Sequence, residues 1–478
     1  MLSVFNKLFE DWNNHNVQYC NWKGTSKIDK GLEGLSDSDI LIGRESKKQA
    51  EATLLSNGFV HVQTQSFCRY TEVFDWLGLD RPTGRMVHVH LHYRMIAGHP
   101  GIMEYTIPWE KNVLSSRVLL ENNVYSIDPN WEMAVFLTRI GLEYPNKKID
   151  KHIISLTSDA HGEFRYIRER VDESKLTEIM KLCYPYDYSS MIILSNKERL
   201  EKKDFILLRR LTTKYFSGYW FNIFSKFRSR LKTAVRVYLI PKVKNLFHIT
   251  TKKTLKKGVV LAFLGQDGSG KSTVSKDIKK WLDWKLEVRR FYLGSGEHFN
   301  PWEKRLGERL SLINNPVVKR IRSVLAFRQV KKIADYAYRN IKKAFKYKEK
   351  GGIALLDRFP QVQYPSINDG PKLRTSILPK VTSSILKNIV SFYATLEEKK
   401  LAKAVKYNPD IVFKFMLSPE ESLRRKPQEN YESVCRKHEI IKSLEFPNSK
   451  VFVIDATQPY EQELIQIKNI IWDNIQKS

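Results

Sequence analysis

Gly265-Gln266-Asp267-Gly268-Ser269-Gly270-Lys271-Ser272-Thr273 concentrates the residue types that hold phosphate. Gly265, Gly270, Lys271 and Ser272 occupy the fixed positions of G-x-x-x-x-G-K-[ST]. Glycines let backbone N–H groups turn inward around phosphate oxygens, and a helix N-terminus adds its positive end. Lys271 is placed to reach the β- and γ-phosphates, and the Ser272 hydroxyl to ligate Mg²⁺. The chemistry implied is the binding of a magnesium-bound nucleoside triphosphate such as ATP.

Such a loop needs a strand before it and a helix after it. The apolar run from Val259 to Leu264 supplies the strand, and Val274, Ile278, Trp281 and Leu282 share one helical face beyond it. Further apolar runs at Val288 to Leu293, Ile353 to Leu356, Ile411 to Leu417 and Val451 to Ile454 suit βα crossovers. Together they predict a five-stranded parallel sheet wrapped by helices. Ligands of such sheets sit at the carboxyl ends of the strands, where Gly294-Ser295-Gly296, Asp357-Arg358 and Asp455 fall. Asp357 is a candidate for the Mg²⁺ shell and Arg358 for phosphate. Transfer to a phosphate acceptor needs no strong base, whereas a sugar hydroxyl wants a nearby carboxylate. Asp267, Asp357 and Asp369 are the candidates, and a purely structural Asp369 capping its turn is equally open.

These motifs resemble the thymidylate kinases and related nucleoside monophosphate kinases, over about 255 to 478. The resemblance rests on Asp267 to Lys271, on Asp357-Arg358-Phe359, on Asn408-Pro409-Asp410 leading into Ser418 to Lys426, and on the strand Val451 to Asp455. It implies that Asp267 faces the acceptor's sugar hydroxyl and that Gly265, Gly268, Ser269, Gly270 and Thr273 line the triphosphate. It also implies that Arg358 binds the transferring phosphate and that Arg424, Arg425 or Lys426 closes over ATP from a lid. A helix turns about 100° per residue, so Arg424 and Arg425 cannot both aim inward; Arg425 is taken as the catalytic one. The long basic stretch 301–350 and Asn368-Asp369-Gly370-Pro371 resemble instead the divergent thymidylate-kinase-like proteins associated with bacterial surface-polysaccharide synthesis.

The other half carries a second constellation. Asp37 and Asp39 form a D-x-D at the start of the apolar strand Ile40-Leu41-Ile42, on one strand face, able to share a divalent cation. Gly24-Thr25 upstream forms a turn whose amides are expected to face a triphosphate. His88, His90 and His92 alternate along another strand; they are either metal ligands or half-buried, hydrogen-bonded histidines. The arrangement resembles the nucleotidyltransferase superfamily, with His90 where that family places a third carboxylate and His92 at its usual histidine. An amphipathic opening helix (Val4, Phe5, Leu8, Phe9, Trp12) precedes it, and from about 116 to 200 the pattern turns helical.

The expected fold class is therefore α/β: a P-loop parallel sheet with flanking helices in the C-terminal half, and a smaller α/β nucleotidyltransferase-like domain with a helical cover. The expected domains are 1–200, a basic amphipathic linker 201–257, and 258–478. With 478 residues there is room for two full cores. Four scattered cysteines argue against a disulfide framework or zinc cluster and suit a reducing cytoplasm. No apolar run is long enough for a spanning helix. The formal charge of +29 favours anionic partners. Residues 202–257 mix many Lys and Arg with aromatic residues and a lone acid, Asp204. The segment suits a docked linker helix or an anionic membrane surface at the inner face, more than nucleic acid.

The leading expectation is a cytoplasmic ATP- and Mg²⁺-dependent phosphotransferase acting on a small nucleotide or phosphorylated sugar-like acceptor, with a homodimer left open. Its rivals are a nucleotide-binding scaffold on a membrane surface and a nucleic-acid end-processing enzyme.

Overall fold

The computed structural model describes residues 1–64, 69–70, 72–98, 103–143, 160–216, 252–266, 268–294, 309–310, 312–313, 315–365 and 369–477. They fall into two compact units, Met1–Thr251 and Lys252–Ser478. Among the described residues no helix is long and apolar enough to cross a membrane.

The first unit is built on a mixed sheet of β1 (Tyr19–Asn21), β2 (Ser38–Ile42), β3 (Val60–Val62), β4 (Val73–Asp80) and β5 (Arg85–His92), to which later strands are added. A small hairpin, β6 (Ile96–Ala97) with β7 (Tyr105–Thr106), precedes β8 (Val118–Leu119) and β9 (Tyr125–Ser126). The large sheet runs β3-β4-β5-β2-β1-β9-β8. Strand β2 lies antiparallel to β1 and parallel to β5, and β4 is antiparallel to β5. The expected helical region from 116 thus opens with two strands. At two residues each they are too short to leave a period-two signal.

Strand alternation divides this sheet into two faces. Ile40, Ile42, Trp76, Val87, Val89 and Leu91 join one core with Phe5, Leu8, Phe9 and Trp12 of the opening helix Ser3–Asn14. Cys20, Trp22 and Leu41 face the other core, made mainly by the helix Pro129–Glu143 and those after it. The helix Lys202–Tyr215 also belongs to that second core, through buried Phe205, Leu208 and Leu211. The basic stretch expected as a linker from 201 therefore begins as part of the first unit, because its apolar face finds a partner in the helix Pro129–Glu143. Of the remainder, 217–251 lies outside the described residues and 252–257 belongs to the second unit.

The second unit is an all-parallel sheet of β10 (Val259–Gly265), β11 (Val288–Tyr292), β12 (Ile353–Asp357), β13 (Ile411–Met416) and β14 (Lys450–Asp455). Its order is β11-β12-β10-β13-β14, so the loop-bearing strand is central, flanked by β12 and β13. Val260, Ala262, Ala354, Leu356 and Val412 pack into one core with Ile341 and Ala344 of the 34-residue helix Pro316–Glu349. Asp410 pins the entry to β13. Its carboxylate accepts from the Val260 amide at 2.8 Å and from Lys348 Nζ at 2.6 Å.

Candidate active site

At the carboxyl end of β10 the chain turns through Gly268 and Gly270, both at positive φ (87° and 78°), into the helix Lys271–Leu282. Gly270 is the residue immediately before that helix, and its left-handed backbone is what aims the helix N-terminus back toward the turn. The first-turn N–H groups of a helix have no partner within the helix, which makes this end an anion site. Lys271 is buried, and its Nζ donates to the Gln266 carbonyl at 2.9 Å. The Ser269 hydroxyl donates to the same carbonyl at 2.8 Å.

Parallel pairing of β10 with β12 sets Phe263 opposite Asp357, one strand away from the turn. The Ser272 hydroxyl lies 3.4 Å from Asp357 Oδ1. Arg358 follows at φ 77°, and its amide donates to the Phe263 carbonyl at 3.2 Å. Its guanidinium lies 3.4 Å from Asp369, itself at φ 65°. Two non-glycine residues held in this strained region, side by side, mark a place where the fold over-determines the backbone. From β13 the helix Pro419–Arg425 brings Arg425 to the Gly268 carbonyl at 3.3 Å and to the Ala456 carbonyl at 3.0 Å. Arg424 is exposed and pairs with Glu421. Asp267, Ser295, Gly296 and Asn368 lie outside the described residues.

This donor set fits a magnesium-bound triphosphate: a helix N-terminus, a buried ammonium, and a hydroxyl and carboxylate from neighbouring elements. Two partners were not expected from the chain order. Arg290 on β11 donates to Asp357 Oδ2, while its Nε donates to Ser275 Oγ at 3.0 Å. Asp357 has no solvent exposure, so this guanidinium neutralises a carboxylate that otherwise would be costly to bury. The one available signal was a charged pair, Arg289-Arg290, inside an apolar strand. Gln266 is also buried, with neither side-chain polar atom bonded; its position in the motif accepts any residue, so nothing pointed to it.

In the first unit, alternation puts Asp39 and Leu41 on one face of β2, and His88, His90 and His92 on the matching face of β5. Register pairs Asp39 with His90, and His90 with Asp75 on β4. His88 lies between Asp37 (2.9 Å) and Asp75 (3.0 Å). His90 lies between Asp39 (3.3 Å) and Asp75 (3.0 Å), and His92 Nε2 is 3.0 Å from Asp39. Lys23 reaches Asp39 at 3.1 Å. Where the resemblance leads one to expect a third carboxylate, the chain has His90, and the carboxylate of Asp75 meets that histidine from the adjacent strand. Burial works against a charged His90, but Asp39 and Asp75 outweigh it and raise its pKa to about 9. Burial dominates at His92, whose pKa falls to about 4. Asp37 and Asp39 line a cavity of about 330 Å³ together with Lys23, Lys27, Arg139 and Glu143, among others.

The turn at Gly24-Thr25 departs from expectation. The Thr25 amide donates at 3.2 Å, and its hydroxyl at 2.5 Å, to the buried carboxylate of Glu132 from the helix Pro129–Glu143. That amide is therefore committed inward and does not face a triphosphate. Burial pushes the Glu132 pKa up to about 7, against the pull of the Thr25 bonds.

No family model matches the chain. Among curated proteins it is 24% identical over 229 residues to the "Uncharacterized ATP-binding protein YghR" of Escherichia coli K12, covering 44% of this chain and 86% of that protein. It is 23% identical over 223 residues to the "Uncharacterized ATP-binding protein YghS" of the same organism, covering 43% and 89%. Solved structures similar to it include deoxyadenosine kinase from M. mycoides with bound dATP, at 18% identity and a TM-score of 0.27, covering 44% of this chain and 98% of that one. Thymidylate kinase from Candida albicans is similar at 14% identity and a TM-score of 0.29, covering 46% and 94%. On its own topology and motif, the C-terminal unit is a P-loop α/β unit.

Proposed function

We propose that the C-terminal unit is an ATP- and Mg²⁺-dependent phosphotransferase whose acceptor is a nucleotide or a phosphorylated sugar-like metabolite. The observation that carries this reading is the approach of Ser272 to within 3.4 Å of Asp357 beside the glycine turn, a hydroxyl and carboxylate suited to share Mg²⁺. The nucleotide would be held by the amides from Gly265 to Thr273 and by Lys271, with Arg425 at the edge of the loop. The bound metal would supply charge neutralisation on the transferring group. Arg358, tethered to Asp369, would orient that group, since positioning and electrostatics supply most of the catalysis in phosphoryl transfer. The names of the E. coli relatives support ATP binding. The test is ADP release from the full chain with ATP·Mg²⁺, screening dTMP, other nucleoside monophosphates and sugar phosphates. Acceptor-dependent release abolished by Lys271→Ala supports the reading. Release that survives that substitution overturns it.

A second reading concerns the N-terminal unit as a nucleotidyltransferase-like module. It is favoured by Asp37 and Asp39 lining one cavity together with Lys23, Lys27 and Arg139. The pair of units would then phosphorylate a metabolite and attach a nucleotide to it, giving an activated donor for surface-polysaccharide assembly. Pyrophosphate release from a nucleoside triphosphate, lost in Asp39→Asn but retained in Lys271→Ala, is the expected result. Docking on an anionic membrane face through the basic stretch belongs to the same proposal. The apolar face of 202–215 is already spent in the core, so docking would fall to the residues after it.

A further inference from the structure

The histidine and aspartate cluster of the first unit sets two imidazole rings among three carboxylates. His88 and His90 each set both ring nitrogens against carboxylates: Nδ1 toward Asp37 or Asp39, and Nε2 toward Asp75. A cation that displaces a ring proton between the two strands would turn such a contact into ligation.

The arrangement around Asp39 points to where the cation sits. Its Oδ1 has His90 Nδ1 at 3.3 Å and His92 Nε2 at 3.0 Å. Ligands 2.0–2.1 Å from a tetrahedral ion lie about 3.3 Å apart, so both contacts have ligand spacing, and one ligand atom from each of the three residues lies within 4.8 Å of the others. Asp75 holds the outer nitrogen of His90, the arrangement that fixes the tautomer of a metal-bound histidine. The buried Nδ1 of His92 has no hydrogen-bond partner, so Nε2, the nitrogen 3.0 Å from Asp39, is the one that would meet an ion. Asp37, His88 and His90 form a neighbouring group of the same kind.

We propose that Asp39, His90 and His92 bind one divalent first-row transition-metal ion, Zn²⁺ or Mn²⁺. Asp75 positions His90, and Lys23 gives up its contact with Asp39. Two imidazoles and one carboxylate favour such an ion over Mg²⁺, which prefers oxygen alone. Asp39 also lines the cavity that Lys23, Lys27 and Arg139 line, so the ligand class expected to complete the site is an oxyanion. The assignment rests on neither the phosphotransferase reading nor any nucleotidyl transfer.

The test is calorimetric titration of the tag-free, chelator-stripped full chain with ZnCl₂, MnCl₂ and MgCl₂, without nucleotide. One Zn²⁺ or Mn²⁺ per chain is expected, with Mg²⁺ at least about ten-fold weaker. Asp75→Asn should weaken uptake about 10- to 100-fold, and Asp39→Asn and His90→Asn should weaken it at least as much. Asp357→Asn should leave it unchanged, which separates this ion from one held beside the phosphate loop. Cu²⁺ loaded into the unsubstituted chain should show nitrogen superhyperfine lines in its EPR spectrum, a readout that stands even where a variant misfolds. No uptake, equal uptake of Mg²⁺, or a spectrum free of nitrogen couplings would overturn the proposal and leave protons alone to fill the row.

Discussion

Lys271 and Asp357 differ in what their loss should do. Lys271 is buried against its own loop, and Lys271→Ala removes the cation proposed to meet developing phosphate charge. ADP release should fall by at least about 100-fold, as when one preorganised donor is removed. Asp357 is fully buried and tied to a partly buried Arg290, so Arg290→Met removes the counter-charge of that carboxylate and should destabilise the chain by about 3 kcal/mol. If Mg²⁺ meets the same carboxylate, as proposed, ATP·Mg²⁺ should stabilise Arg290→Met more than the parent, read as a larger rise in melting temperature. A smaller rise would mean that Asp357 does not meet the metal. Glu132 tests the first unit. Its folded pKa of about 7 lies above the ordinary 4.5, so the folded chain binds more protons than the unfolded one between those values. Stability should therefore fall as pH rises from 4.5 through 7, by something on the order of 3 kcal/mol. Glu132→Gln should flatten that slope, so its melting temperature relative to the parent should rise with pH.

At the scale of elements, two close approaches matter. Gly141 lies where the helix Pro129–Glu143 meets the helix Lys202–Tyr215: a Cβ there would come within 2.8 Å of the Leu208 carbonyl oxygen and 2.7 Å of Thr212 Oγ1. Gly141→Ala should push the two helices apart, and Leu208→Ala should cost about 2–5 kcal/mol by opening a cavity. Both are measured by chemical denaturation, and a neutral result at both would show that 202–215 is not held in the first core. Gly270 has open space around it but a φ of 78°. Gly270→Ala should therefore strain the loop by about 1–2 kcal/mol and weaken nucleotide binding without disturbing the sheet.

At the scale of the whole molecule, each compact unit carries its own cluster of candidate functional groups, and the chain as a whole carries a formal net charge of +29. An excess of positive charge raises the local concentration of phosphorylated ligands and of anionic surfaces alike. If 217–251 docks on lipid, the full chain should float with vesicles containing phosphatidylserine at low salt. It should lose them as salt shortens the screening length from about 10 Å at 0.1 M toward 3 Å at 1 M. Failure to float at low salt removes the membrane reading and leaves the phosphotransferase reading intact.

The phosphate loop, its strand and its helix were legible in the chain because all their parts lie within about twenty-five consecutive residues, where backbone geometry follows from residue type. The five parallel strands were legible for the same reason, each being an apolar run of its own. The D-x-D and the row of histidines could be seen, but not what stands between them. Asp75 reaches His88 and His90 only through the antiparallel register of β4 on β5, and one residue of slip would turn it toward the opposite face. Arg290 reaches Asp357 across 67 positions, and Glu132 reaches Thr25 across 107. Such partners are chosen by strand order and helix packing, which no local pattern encodes. The chain thus announces where phosphate is to be held, whereas packing alone determines which charges are neutralised beside it.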